Sequence, residues 1–245
     1  PTLQPESVSA STALPSPSPT LRTISTAPTA TLGQFRDLFG ERGYLLAALH
    51  RGPDDQRDLQ RLIALERQSR VPLLVSGNVL YHHRARMPRP GNYLDRESDP
   101  TGPVIDFRNN VFYNWGGASS GYNADTDSVS RYNFVNNWYK RGPDSSKSLA
   151  FDESNSLAIA HFSGNLMNGK LPDDPWSLVR YEDGRTSGHD EAFDVGPVET
   201  QPAEAAFKAV LRFAGASLRR DAVDQRITEE VRSGTGGLID DVHRE

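Results

Sequence analysis

The stretch Val75–Gly91, VSGNVLYHHRARMPRPG, contains the first copy of an internal repeat. Set VSGNVLYHH from Val75 above FRNNVFYNW from Phe107, FVNNWYKRG from Phe134 and FSGNLMNGK from Phe162. One frame emerges: an apolar residue, then two positions on a Gly or Asn, then Asn, then an apolar residue. The shared asparagines are Asn78, Asn110, Asn137 and Asn165, spaced 32, 27 and 28 residues apart. A period of about 20 to 50 residues marks a solenoid or array, in which no unit buries its apolar face alone. Each unit here is a short β-branched and aromatic run bounded by Gly, Pro, Asn and Asp, so it predicts a strand and its turn, not a helix pair. The expectation is a parallel β-helix with one Asn per coil stacked into a ladder. Such amides bond along the axis and tolerate the left-handed backbone of a tight bend. N-N and G-N are also common turn dipeptides, so chance recurrence is the competing explanation; four hits in one apolar frame favour the ladder.

Composition agrees with a water-exposed solenoid. The 245 residues are 36% hydrophobic, with 27 Lys and Arg against 32 Asp and Glu. The resulting net charge of -5 argues against a surface built as a whole for nucleic acid, and no run is long enough to span a membrane. A local basic cluster does occur at Arg84–Arg89. Without cysteine there is neither a disulfide framework nor a thiolate metal site, which leaves the compartment open. Residue 1 is Pro and no apolar signal core follows, so no signal peptide is expected within this chain.

The flanks differ in character. Residues 1–30 are rich in Pro, Ser and Thr, lack aromatics, and read as a disordered arm. Residues 31–70 read as a small helical segment, with Phe35, Leu38 and Phe39 in one short helix and Tyr44–Leu49 as either strand or buried helix. Pro53, followed by Asp54, Asp55 and Asp58 and a stripe of Leu59, Leu62 and Ile63, predicts a helix over Pro53–Ser69 whose acids sit at its N-terminus. The β-helix is expected over 71–200 and helices over 201–245. Ala203–Phe213 should end before Gly215, and Asp221–Ser233 should be capped by Asp221 and stopped by Gly234, both packing over the coil or its open end.

Two resemblances emerge. FRDLFGERGYLLAALHRGPDDQRDLQRLIALERQSRVPLLVSGNVLYHH, within residues 34–86, resembles part of the PHP domain of error-prone DNA polymerases of the polymerase III alpha type. It departs from metal-binding members at Gly77, Asn78 and Leu80. From Val75 to Gly237, RARMPRPGNYLDRE, VIDFRNNVFYNWGG, GYNADTD, YNFVNNWYKRGP and GASLRRDAVDQRITEEVRSGTG resemble the downstream half of bacterial pectate lyases of polysaccharide lyase family 1. The two overlap at 75–87, as in a chimeric gene. The second resemblance implies a mainly β fold, a truncated right-handed parallel β-helix preceded by the helical segment and followed by the C-terminal helices.

It also implies a chemistry: β-elimination of polygalacturonate, in which a base takes the C5 proton beside the uronate carboxylate and the C4 oxygen leaves. The family motif Arg-x-Pro-x-x-Arg matches at Arg86, Met87 and Pro88, which places Arg86 as the base; Gly91 stands where the second Arg belongs. Arg84, Arg89 and His83 are then candidate substrate contacts. Read without the motif, Arg86 is a solvated arginine in a basic run. His82 and His83, adjacent on a strand, should face opposite sides and not chelate one metal. The family's calcium needs six to eight oxygens. Asp125 and Asp127 are candidate ligands that read equally well as a hydrated turn, and the family's usual upstream ligands are missing. The implied partner is acidic polysaccharide and the implied location secreted or periplasmic. The rival functions are an inactive polysaccharide-binding remnant and a fragment associated with an error-prone polymerase.

Overall fold

The computed structural model describes residues 45–47, 63, 72–181, 188–215 and 217–238. The expected arm over 1–30, the short helix at Phe35–Phe39 and nearly all of the helix expected over Pro53–Ser69 lie outside the described residues, apart from helical Ile63.

Strand β1 is Leu45–Ala47; β2 (Leu73–Ser76) and β3 (Val79–Tyr81) begin the first full coil. The second coil holds β4 (Val104–Arg108), β5 (Val111–Tyr113) and β6 (Ser119–Asn123). The third holds β7 (Ser130–Val135), β8 (Trp138–Lys140) and β9 (Leu149–Glu153), and the fourth β10 (Ala158–Ser163), β11 (Leu166–Met167) and β12 (Val179–Tyr181). Corresponding strands pair in parallel, giving three sheets in the orders β1-β2-β4-β7-β10, β3-β5-β8-β11 and β6-β9-β12. The fold is therefore a parallel β-solenoid of about four turns, mainly β, as the repeat predicts.

The bend between the first and second sheets is the repeat itself. Gly77, Asn109, Asn136 and Gly164 all carry positive φ, the conformation that Gly and Asn adopt at least cost. The next residue in each case is the ladder asparagine. Oδ1 of Asn110 accepts from the backbone N–H and the side-chain amide of Asn78, at 3.0 and 3.1 Å. Asn137 does the same for Asn110 at 3.0 and 3.2 Å, and Asn165 for Asn137 at 3.0 and 2.9 Å. The same amides donate to Val75, Phe107 and Phe134 carbonyls in the neighbouring coils at 2.8, 2.8 and 2.7 Å. All four asparagines are buried, so these bonds form where water cannot replace them.

Inside, like residues stack on like. The rings of Phe107 and Phe134 lie 5.2 Å apart, and Phe112 stacks on Tyr139 at 4.7 Å. Such pairs add about 0.5–1.5 kcal/mol beyond their burial. Ile63 joins this core, and β1 pairs with β2 in the register Leu45↔Leu73, so the segment expected to be helical also contributes a strand and a core side chain to the coil.

Helices α1 (Ala203–Phe213) and α2 (Ala222–Ser233) pack on the outer face of the second sheet rather than over an open end. The reason is an apolar outer face on that sheet: Val111 and Tyr113 meet Val210, Leu211, Ile227 and Val231, and Trp138 stacks on Phe207 at 4.4 Å. Asp221 caps α2 by accepting from Asp224 N–H, and Gly234 ends it in the left-handed conformation. Lys140 Nζ donates to the Val231 and Arg232 carbonyls, where the end of the helix favours a cation.

Glu153 is the outlying acid of the interior, buried at the end of β9. Burial pushes its pKa up to about 8 from an ordinary 4.5, against the opposing hydrogen bond from Asn155 N–H. The folded protein therefore keeps a proton that the unfolded chain has lost.

Two outcomes follow. Asn137→Ala removes the acceptor of the Asn110 backbone N–H and of one Asn110 amide hydrogen, together with the amide that donates to the Phe107 carbonyl, so denaturant unfolding should show a loss of about 2–4 kcal/mol. For Glu153, stability is whole below pH 4.5, declines as pH rises to about 8 and is flat above. Glu153→Gln, which cannot ionise, should flatten that decline and unfold later than the parent chain at pH 9.

Candidate functional site

The site begins where the first coil lacks a third-sheet strand. Met87 and Pro88 take that place beside β6: Met87 N–H donates to the Ser120 carbonyl at 2.9 Å, and Tyr122 N–H to the Pro88 carbonyl at 3.0 Å. Ser120 Oγ adds a bond to the Met87 carbonyl at 2.6 Å. The two segments run so close that a Cβ on Gly121 would stand 2.5 Å from the Pro88 oxygen. Arg86, just before this ladder, has φ of 71° and an exposed side chain. It is thus held by the backbone on its C-terminal side and presented outward.

Arg86 Nε donates to the Tyr122 hydroxyl at 3.2 Å. That hydrogen bond raises the guanidinium's pKa above its ordinary value, so in the free protein Arg86 is firmly a cation. Arg89 lies next to it. One of its Nη groups meets Asp125 Oδ1 at 2.8 Å and the other donates to the Tyr93 hydroxyl at 3.1 Å. Its guanidinium carbon sits 5.4 Å from the Tyr93 ring centre and 5.6 Å from that of Tyr122. Along the outer row of the third sheet, Tyr122 is in register with Asp152, and Asp152 with Arg180, which forms an ion pair with it.

Gly91 has a structural cause. A Cβ there would fall 1.4 Å from Asp125 Oδ2, so Asp125 occupies the room that any larger side chain at 91 needs. The two features are one exchange: no side chain at 91, and a carboxylate swung over to Arg89. Among the candidate metal ligands, Asp125 is thus committed on one oxygen to Arg89, while Asp127 is exposed and its carbonyl accepts from Arg96 N–H. No group of three or more His, Cys, Asp or Glu side chains suited to a metal gathers among the described residues.

Arg84 and His83 are both exposed. The His83 carbonyl accepts from Gly116 N–H, and Arg84 lies against Gly116 and Gly117, on the bend between the second and third sheets. His82 differs from the strand alternation expected for it. β3 ends at Tyr81, His82 takes φ of 52°, and its ring turns toward α2. His82 Nε2 meets Glu230 Oε2 at 3.1 Å, and Nδ1 lies 2.8 Å from Asn114 Nδ2. The Asn114 amide is oriented by Asp144, which donates to its oxygen and accepts from its nitrogen. His82 Nδ1 is therefore the acceptor and Nε2 carries the proton to Glu230. Burial lowers its pKa below 6.5 even though Glu230 pulls the other way. His82 is a fastener for α2.

Tyr122 and Tyr93 are the site residues that motif reading missed. Tyr122 could have been found by sliding the third-sheet strands into register, since it falls in the row of Asp152 and Arg180. Tyr93 follows a non-repeating loop and carries no such signal.

The truncated parallel β-helix is the fold that the resemblance to pectate lyases implies. No family model matches the chain. A probable pectate lyase C of Aspergillus fumigatus is 35% identical over 150 residues, 56% of this chain and 34% of that protein. A probable pectate lyase C of Aspergillus terreus is 34% identical over 149 residues, with the same coverage of 56% and 34%. The chain thus spans about a third of the length of these relatives. Over a short separate stretch it is also 52% identical to an error-prone DNA polymerase of Alkalilimnicola ehrlichii, across 48 residues, 20% of this chain and 5% of the polymerase. Both resemblances read from the sequence are present.

The exchange at Gly91 is testable. Gly91→Ala should cost about 1–3 kcal/mol of unfolding free energy through the forced displacement of Asp125. In a double-mutant cycle with Asp125→Ala, most of that cost should vanish; full additivity would contradict the geometry.

Proposed function

We propose that this chain is a pectate-lyase-like protein that binds acidic polysaccharide of the polygalacturonate type on the face carrying Arg86. The observation that carries this reading is the exposed guanidinium of Arg86, fixed in direction by the Met87–Pro88 pairing with β6 and by the Tyr122 hydroxyl. A cation so placed meets a uronate carboxylate with a fork of N–H donors. Arg84 and His83, exposed on the neighbouring bend, extend that contact to an adjoining sugar, and Arg89 shapes the surface between Tyr93 and Tyr122.

Cleavage by β-elimination is the second reading, favoured by the match of Arg86, Met87 and Pro88 to the lyase motif. Arg86 would take the C5 proton as the C4 oxygen leaves. The hydrogen bond to Tyr122 works against it, because it holds the guanidinium protonated. Elimination therefore requires that the bound sugar displace Tyr122 from Nε and that neighbouring cations then lower the pKa, which sets its optimum in alkaline solution. Secretion, the location the resemblance implies, belongs to the same reading; no helix among the described residues is long and apolar enough to cross a membrane.

The decisive assay follows polygalacturonate by two readouts, retention of the protein on the polymer and release of unsaturated uronate, at alkaline pH with and without added calcium. Binding lost in Arg86→Ala is the expected result. Unsaturated product formed by the parent chain and not by Arg86→Ala establishes elimination. Absence of both binding and product contradicts the proposed function.

A further inference from the structure

The surface beside Arg86 is not a uniformly basic one. Arg89 spends its charge on Asp125 at 2.8 Å, with both side chains largely covered, so the pair presents little net charge outward. What it does present is aromatic. Tyr93 is 56% exposed, its hydroxyl tied to Arg89, and Tyr122 flanks the same guanidinium. Arg89 thus props two phenol rings, one of them open to solvent, next to an exposed cation. An exposed aromatic face beside convergent polar groups is suited to the C–H face of a pyranose ring, since the ring buries apolar area at small entropic cost while hydroxyls reach the polar rim.

Resting on the polysaccharide-binding reading, we infer that Tyr93 and Tyr122 form a sugar-stacking subsite adjoining Arg86, which takes a hexuronate ring by its uncharged face and accepts a methyl-esterified uronate as readily as a free one. Arg86 supplies the charge recognition and the tyrosines supply contact that is indifferent to charge. Asp125 is the positioning residue, because it holds Arg89 between the rings.

The test is calorimetric titration of the full chain with trigalacturonate and with its methyl ester, at low and high salt. Tyr93→Ala should weaken both ligands by about two- to tenfold, the range expected for loss of one stacked ring, with the ratio to the parent chain unchanged by salt. Tyr93→Phe should restore most of the affinity, and Arg86→Ala should weaken the free acid alone. Unfolding midpoints of the variants check that each is folded. A Tyr93→Ala loss confined to the free acid, one abolished by salt, no loss at all, or a Tyr93→Phe variant as weak as Tyr93→Ala would each overturn the subsite. If affinity for both ligands is lost in Arg86→Ala yet untouched in Tyr93→Ala, the subsite fails while the binding reading stands; if the parent chain binds neither ligand, both fail.

Discussion

The structure depends on one repeated hydrogen bond, that between the carbonyl oxygen of a buried asparagine amide and the backbone N–H of the asparagine one coil away. Each bond closes the gap at a bend where no strand ladder operates, and the left-handed residue before it turns the chain from the first sheet to the second. A buried bend of this kind without its amide would leave backbone groups unpaired, at about 1–3 kcal/mol each. The ladder therefore decides where every coil turns. Strands, aromatic stacks and outward rows inherit their register from it.

The site is a product of that register. With β6 fixed by the second coil, Ser120 and Tyr122 present backbone groups to which Met87 and Pro88 attach, and Arg86 is turned to the outside. Gly121 permits the close approach; Gly91 leaves room for Asp125, which in turn commits Arg89. Arg86 is thereby left as an exposed cation beside Tyr122, while Arg89 is engaged by Asp125. On the second sheet, His82 and Lys140 bind α2 and Tyr113 binds the Thr235 carbonyl just past its end, so this face of the coil is covered.

The solenoid was legible because its unit is local: a Gly or Asn that accepts positive φ, an Asn, and an apolar run, all within nine residues. The caps of α2 were legible for the same reason. What escaped were features made by residues from different coils. That Asp125 folds over Gly91, 34 positions away, is a matter of stacking, and no spacing encodes it. His82 looked like half of an alternating strand, whereas it stands at a left-handed bend from which its ring meets Asn114 and Glu230, of the next coil and the last helix. The segment over 31–70 reads as foreign through its resemblance to a polymerase, yet Leu45–Ala47 pairs with β2 and Ile63 enters the core. The edge of β2 presents backbone N–H and C=O groups that the added strand pairs.

The claim that the coil's register creates an acid-sugar surface at Arg86 is tested most directly by a crystal structure of the full chain with trigalacturonate. A uronate carboxylate within hydrogen-bond reach of the Arg86 guanidinium, on the face of Tyr122, is the predicted result. A sugar seated on another face, with Arg86 left in water, would contradict it.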